Sequence, residues 1–122
     1  VKPFEREDAR LFAITGPDLR VSPKVALALS LGLHELCTNA LKYGALTRET
    51  GRISIVWSMT DGRIELRWRE TGGPPPAPSG GPAGFGTRLL RRSIEDDLGG
   101  TIAIFHEPEG LTCAIGIAID AP

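Results

Sequence analysis

The sequence predicts a two-layer α+β sandwich, in which helices with one apolar stripe pack on antiparallel strands with one apolar face. Three stretches carry this prediction. Segment 24–45, KVALALSLGLHELCTNALKYGA, repeats apolar residues at helical spacing. Segment 51–70, GRISIVWSMTDGRIELRWRE, alternates on both sides of a central Asp61-Gly62. Segment 101–120 alternates again around a turn at 108–110.

The elements follow in order. ARLFAITG (9–16) reads as a short strand closed by Gly16, and PDLRVSP as a loop. Its Ser22-Pro23 pair suits a helix start, with Ser as the cap and Pro in the first turn. In the helix over 24–45, Leu29, Leu33, Leu36, Ala40 and Tyr43 form the expected core stripe, and Gly44 is the expected stop. Asp61-Gly62 is a two-residue hairpin turn. Counting outward pairs Thr60 with Arg63, Met59 with Ile64, Trp57 with Leu66 and Ile55 with Trp68. The large apolar residues then share one face, and Ser58, Glu65, Arg67 and Arg69 share the other. The same count pairs Ile53 with Glu70, which puts a carboxylate on the inner face at the strand end.

Residues 71–86, TGGPPPAPSGGPAGFG, hold too much Gly and Pro for regular structure and read as a long lid-like loop. A helix is expected over 87–100, with Leu89, Leu90, Ile94 and Leu98 inward and Gly99-Gly100 at its end. A hairpin of 101–108 and 110–120 closes the chain, with Ile115, Ile117 and Ile119 on one face. There is no internal repeat, and residues 1–122 read as one domain.

Composition narrows the function classes. At 122 residues, 41% hydrophobic and net charge −1, the chain is an ordinary globular domain without the basic footprint of a nucleic-acid binder. The cluster Arg88, Arg91 and Arg92 reads as a solvated face. Cys37 and Cys113 stand far apart in apolar segments, as small buried residues of a reduced, cytoplasmic domain. The apolar run VALALSLGL (25–33) is about half of the ~20 residues a membrane span needs, and no signal peptide is visible. The opening VKPFE is expected to continue from something longer.

Glu35, Asn39 and Lys42 stand at i, i+4 and i+7 and so line one stripe of the long helix. An acid, an amide and an ammonium in a row suit a metal-phosphate group: Asn offers a neutral oxygen to magnesium, Glu holds or deprotonates water, and Lys neutralises phosphate. A solvent-facing Glu–Asn–Lys ladder is the alternative. HELCT lacks the second His of a zinc-protease helix, because Thr38 stands there. The glycines of 80–86 fit neither a P-loop nor a dinucleotide fingerprint. What remains is GFGT (84–87) before a helix, where backbone N–H groups can hold phosphate or simply make a turn. Glu70 at the mouth of an apolar layer can accept a hydrogen bond from the exocyclic amine of adenine. Otherwise the strand ends one residue early and the acid points to water.

HELCTNALKYGAL (34–46), WRETGGPP (68–75) and GFGTRLL (84–90), in this order, closely resemble the catalytic ATP-binding domain of HWE-type sensor histidine kinases. The resemblance runs from about Arg10 to Asp120, and His34, Trp68 and Glu70 match the residues for which that family is named. It implies the Bergerat fold, a mixed, mostly antiparallel sheet against helices, shared with gyrase-type and mismatch-repair ATPases. It also implies roles: Asn39 coordinates magnesium, Glu35 orients or deprotonates near the γ-phosphate, Lys42 touches phosphate and Tyr43 packs beside the nucleotide. Glu70 reads the adenine amine where most of the superfamily has Asp, and Gly72 and Gly73 let the backbone approach the base. Gly84, Phe85, Gly86 and Thr87 form the lid hinge and helix start, and Thr112 is a candidate for the adenine side. His34 orients Glu35, shuttles a proton or is structural.

The resemblance therefore implies binding of Mg-ATP or ADP and phosphorylation of a histidine on an upstream dimerisation domain, with a response regulator reached through it. Of the two histidines, His34 belongs to the helix motif and His106 ends a strand, so neither reads as the phosphoacceptor. The short, proline-rich lid departs from ordinary histidine kinases. A nucleotide-binding switch without transfer and a gyrase-type hydrolase are the competing readings.

Overall fold

In chain order the elements are β1 (Phe12–Thr15), α1 (Pro23–Lys42), a 3-10 turn (Ala45–Thr47), β2 (Arg52–Thr60), β3 (Arg63–Thr71), α2 (Phe85–Arg91), β4 (Thr101–Glu107) and β5 (Gly110–Ala118). A wider winding over Arg92–Asp97 prolongs α2. The structure, a computed structural model, describes residues 12–18, 20–74 and 85–119.

The Asp61-Gly62 turn organises the sheet. Both residues lie in the left-handed region, at φ 53° and 73°, as a two-residue turn matched to strand twist requires. Outward from it, Met59 pairs with Ile64, Trp57 with Leu66, Ile55 with Trp68 and Ile53 with Glu70, the register expected from the alternation. The five strands are ordered β1-β2-β3-β5-β4. β1 runs parallel to β2 and the other neighbours are antiparallel, so the sheet is mixed and mostly antiparallel.

One face of the sheet carries the core. Ile53, Ile55, Ile64, Leu66, Trp68, Cys113, Ile115 and Ile117 are buried against Val25, Leu36 and Ala40 of α1 and against Leu90 and Ile94. Ser58, Glu65, Arg67 and Arg69 are exposed on the other face, as expected. Helix α1 starts where Ser22 Oγ accepts the Val25 N–H at 3.3 Å, with Pro23 in the first turn. Gly32 seats α2, because any Cβ there would strike the Leu90 side chain. The Gly100 N–H closes the second helix on the Ile94 carbonyl at 2.7 Å.

The structure corrects the sequence at several edges. Helix α1 ends at Lys42, and Tyr43 leaves helical geometry at φ −132°. Helical spacing no longer applies to Tyr43, which is 56% exposed rather than part of the core stripe. Leu29 and Leu33 are half-buried. Leu89 is exposed, since two consecutive residues of a helix point about 100° apart and Leu90 takes the core position. β3 takes Thr71 and α2 begins at Phe85, so both ends of the expected loop 71–86 belong to regular elements. Residues 9–11 and 75–84 lie outside the described residues.

Candidate functional site

The end of β1–β3's apolar face at Glu70 is where the two layers meet. Strand alternation places Glu70 one pleat beyond Trp68 on the inner face, and it is only 5% exposed. It does not point to water. Its Oε1 accepts the Ala45 backbone N–H at 3.0 Å, and its Oε2 accepts the Trp68 indole N–H at 2.9 Å. Both donors need this acid. Ala45, just past the end of α1, is 2% exposed, and the indole of Trp68 is 1% exposed. A buried donor without an acceptor costs about 1–3 kcal/mol, and a buried unpaired carboxylate costs more. A carboxylate offers about four acceptor sites, so two remain after these bonds.

Besides the Trp68 indole, backbone of the Gly44–Ala45 turn flanks the carboxylate. A Cβ on Gly44 would strike Glu70 Oε1, and one on Gly73 would stand 2.5 Å from the Cα of Ala45. Gly72 turns the chain there at φ 75°, and its carbonyl accepts the Thr50 hydroxyl at 2.6 Å. On the strand next to β3, Cys113 pairs with Trp68 and faces the core. Burial pushes its thiol up from 9.0 to about 12, against a smaller lowering by the Arg91 charge. The surroundings of the Trp68–Glu70 pair are therefore poorly solvated.

Glu35 and Asn39 are half-buried and Lys42 is exposed along one stripe of α1. None of the three side chains makes a hydrogen bond or ion pair among the described residues, so the solvent-facing ladder does not form. Helix α1 carries this stripe directly into the Gly44–Ala45 turn that Glu70 holds. Among the described residues no three His, Cys, Asp or Glu side chains cluster for a metal. An ion held at Asn39 would need most of its oxygens from elsewhere, which is the usual habit of magnesium bound to phosphates.

Other expected residues fall elsewhere. His34 is exposed, about 100° around the helix from Glu35 and beside the exposed Leu31. Its backbone carbonyl accepts the Thr38 hydroxyl at 2.9 Å. Phe85, Gly86 and Thr87 belong to the first turn of α2, so Gly86 lies inside the helix rather than in a hinge before it. Gly84 lies outside the described residues. Thr112 needs correction: it pairs with Arg69 and Phe105, and opposed residues share a face. Its hydroxyl donates to Glu107 Oε1 at 3.0 Å on the outer face, away from Glu70. Trp68 and Ala45 were absent from the expected site. The signal for Trp68 was in the sequence, since an indole two residues before a buried acid shares its face.

No family model matches the chain. It is 38% identical over 124 residues to blue-light-activated histidine kinase 1 of Erythrobacter litoralis, covering 100% of this chain and 34% of that protein. A blue-light-activated histidine kinase of Brucella anthropi is 40% identical over 114 residues, covering 89% of this chain and 23% of that one. The chain belongs to the histidine kinase family, in its catalytic-domain region. The fold agrees. The catalytic domain of histidine kinase ThkA superposes with a TM-score of 0.72 at 23% identity, over 95% of this chain and 84% of that one. The same ThkA has been solved in complex with the response regulator TrrA. The chain spans about a third or less of the length of these curated relatives. Among its described residues no helix is long and apolar enough to cross a membrane.

Proposed function

We propose that this domain binds Mg-ATP and presents the γ-phosphoryl group to a histidine on a separate dimerisation segment, in cytoplasmic two-component signalling of the HWE type. The buried carboxylate of Glu70 carries the reading. It ends an apolar face, is held by a backbone and an indole N–H, and keeps acceptor capacity for an exocyclic amine. Apolar side chains of the inner face would pack the flat base.

Along α1, Asn39 would hold the magnesium ion and Lys42 would pair with phosphate oxygens. Both side chains fit that task because neither is engaged among the described residues. The bound ion supplies charge neutralisation of the phosphates. The chain's own part is positioning. An incoming imidazole nitrogen forms a bond to the γ-phosphorus, the bond to the β,γ-bridging oxygen breaks, and ADP leaves with the electron pair. Glu35 accepts the imidazole proton. The relatives' greater length leaves room for the acceptor segment, and a response regulator would receive the phosphoryl group from it.

Calorimetric titration with Mg-ADP tests this reading. The natural chain is expected to bind and to gain stability with the logarithm of ligand excess, about 2.7 kcal/mol at a hundredfold excess over Kd, read as a raised thermal midpoint. Glu70→Gln is expected to weaken binding, because it leaves one oxygen for the Ala45 and Trp68 N–H groups and the adenine amine to share. No heat and no midpoint shift for the natural chain at millimolar Mg-ADP would overturn the proposal. Acid-labile phosphohistidine on an added dimerisation segment then tests transfer.

A further inference from the structure

Trp68 is among the largest fully buried side chains, yet it carries a polar N–H that an apolar core cannot use. That N–H is spent on Glu70 Oε2, one pleat along the same strand. The other oxygen, Oε1, is held by Ala45 from across the layers. With each oxygen on a different donor, the carboxylate plane cannot turn without breaking both bonds. Ala45 alone would leave Oε2 to swing. Gly44, whose missing Cβ would meet Oε1, limits the group from the other side. The burial that raises the Cys113 thiol beside Trp68 also strengthens the indole–carboxylate bond. The longer acid matters as well. An aspartate at 70 would fall about 1.5 Å short of these donors, one C–C bond length.

Resting on the nucleotide reading above, we propose that Trp68 is a positioning residue for base recognition. Its indole N–H locks the Glu70 carboxylate so that the open acceptor sites meet a 6-amino purine and reject a 6-oxo purine. A 6-amino group donates to the carboxylate. A 6-oxo group presents lone pairs to it, and sites built around a hydrogen bond discriminate strongly against the analogue that cannot make it. A carboxylate released to rotate forms the adenine bond less often and turns toward the N–H donors that guanine carries on the same edge. Orientation, not charge alone, then sets the preference.

The test is Trp68→Phe, which keeps an apolar ring and deletes the donor. Mg-ADP and Mg-GDP are titrated calorimetrically into the natural chain and the variant at low temperature, with circular dichroism to verify folding. Expected is about a fivefold weaker ADP affinity, with GDP affinity unchanged or tighter, so that the ADP-to-GDP preference falls. Equal loss for both nucleotides marks a purely structural role and overturns the inference. A natural chain that binds neither nucleotide overturns the nucleotide reading itself, and the inference falls with it. Should the variant not fold, Trp57→Phe leaves Trp68 as the single indole N–H for NMR. That proton is expected to shift on addition of Mg-ADP but not of Mg-GDP, and an unchanged signal at saturating Mg-ADP overturns the inference.

Discussion

Two glutamates on facing layers are treated in opposite ways. Glu70 on β3 is buried and both its oxygens are held by N–H donors. Glu35 on α1 is half-buried, and its side chain has no partner among the described residues. Asn39 and Lys42 share that second condition. The difference follows from what each acid would meet. A neutral base brings few strong interactions, so the group that reads it gains from being fixed in advance. A metal-phosphate brings its own charges, and water can solvate its partners until it arrives. On the proposed reading, one end of the site is part of the folded core, while the other is a row of side chains that a metal-phosphate would engage.

The largest expected effect comes from breaking the fixed end. Glu70→Ala strands the N–H groups of Ala45 and Trp68 inside the protein. At about 1–3 kcal/mol for each orphaned donor, the loss is about 3 kcal/mol, read as a lower urea midpoint without ligand. If Glu70→Ala unfolds at the natural midpoint, the acid is not a core element and the contrast with Glu35 collapses.

The second effect tests how dry this end is. The Cys113 thiol, opposite Trp68, is raised from 9.0 to about 12 in the folded chain. A raised folded value means that the native state keeps its proton while the unfolded chain loses it. The stabilisation is complete below pH 9 and is lost as pH rises toward 12. From pH 9 to about pH 11 the natural chain is expected to lose about 2 kcal/mol more than Cys113→Val, at about 1.4 kcal/mol per pH unit. Parallel pH profiles for the two chains would show that water reaches the Trp68 side of the sheet.

How much of this was legible in the sequence varies with the kind of signal. The hairpin register was fully readable, because a period-two pattern and an Asp-Gly turn fix every pair at once. The inward placement of Glu70 followed from the same count. Its partners did not, since the Ala45 N–H arrives from 25 positions earlier in the chain and only the folded layers bring it there. Tyr43 and Leu89 were misjudged for a different reason. A helical stripe has soft edges, and periodicity does not say where a helix ends or which of two adjacent leucines reaches the core. Thr112 was readable in principle. Its neighbour Cys113 shares parity with Ile115 and Ile117, which puts Thr112 on the opposite face.

The smallest stability effect is expected at the waiting end, where it separates fixed from ligand-assembled recognition. Asn39 is half-buried on α1 and its side chain holds nothing among the described residues. Asn39→Ala removes no hydrogen bond and puts the strongest helix former into a helix. The urea midpoint is expected to move by no more than the equivalent of about 0.5 kcal/mol, in contrast to Glu70→Ala. Function should move much more than stability. If the proposed assignment holds, ADP affinity measured with and without magnesium is expected to converge with Asn39 gone, since its oxygen would have held the ion while Glu70 would still meet the base. A variant that keeps its magnesium dependence would place the ion elsewhere. A variant that loses stability like Glu70→Ala would mean that the stripe is as much a part of the core as the acid at the sheet end, and that the two ends of the site are built alike.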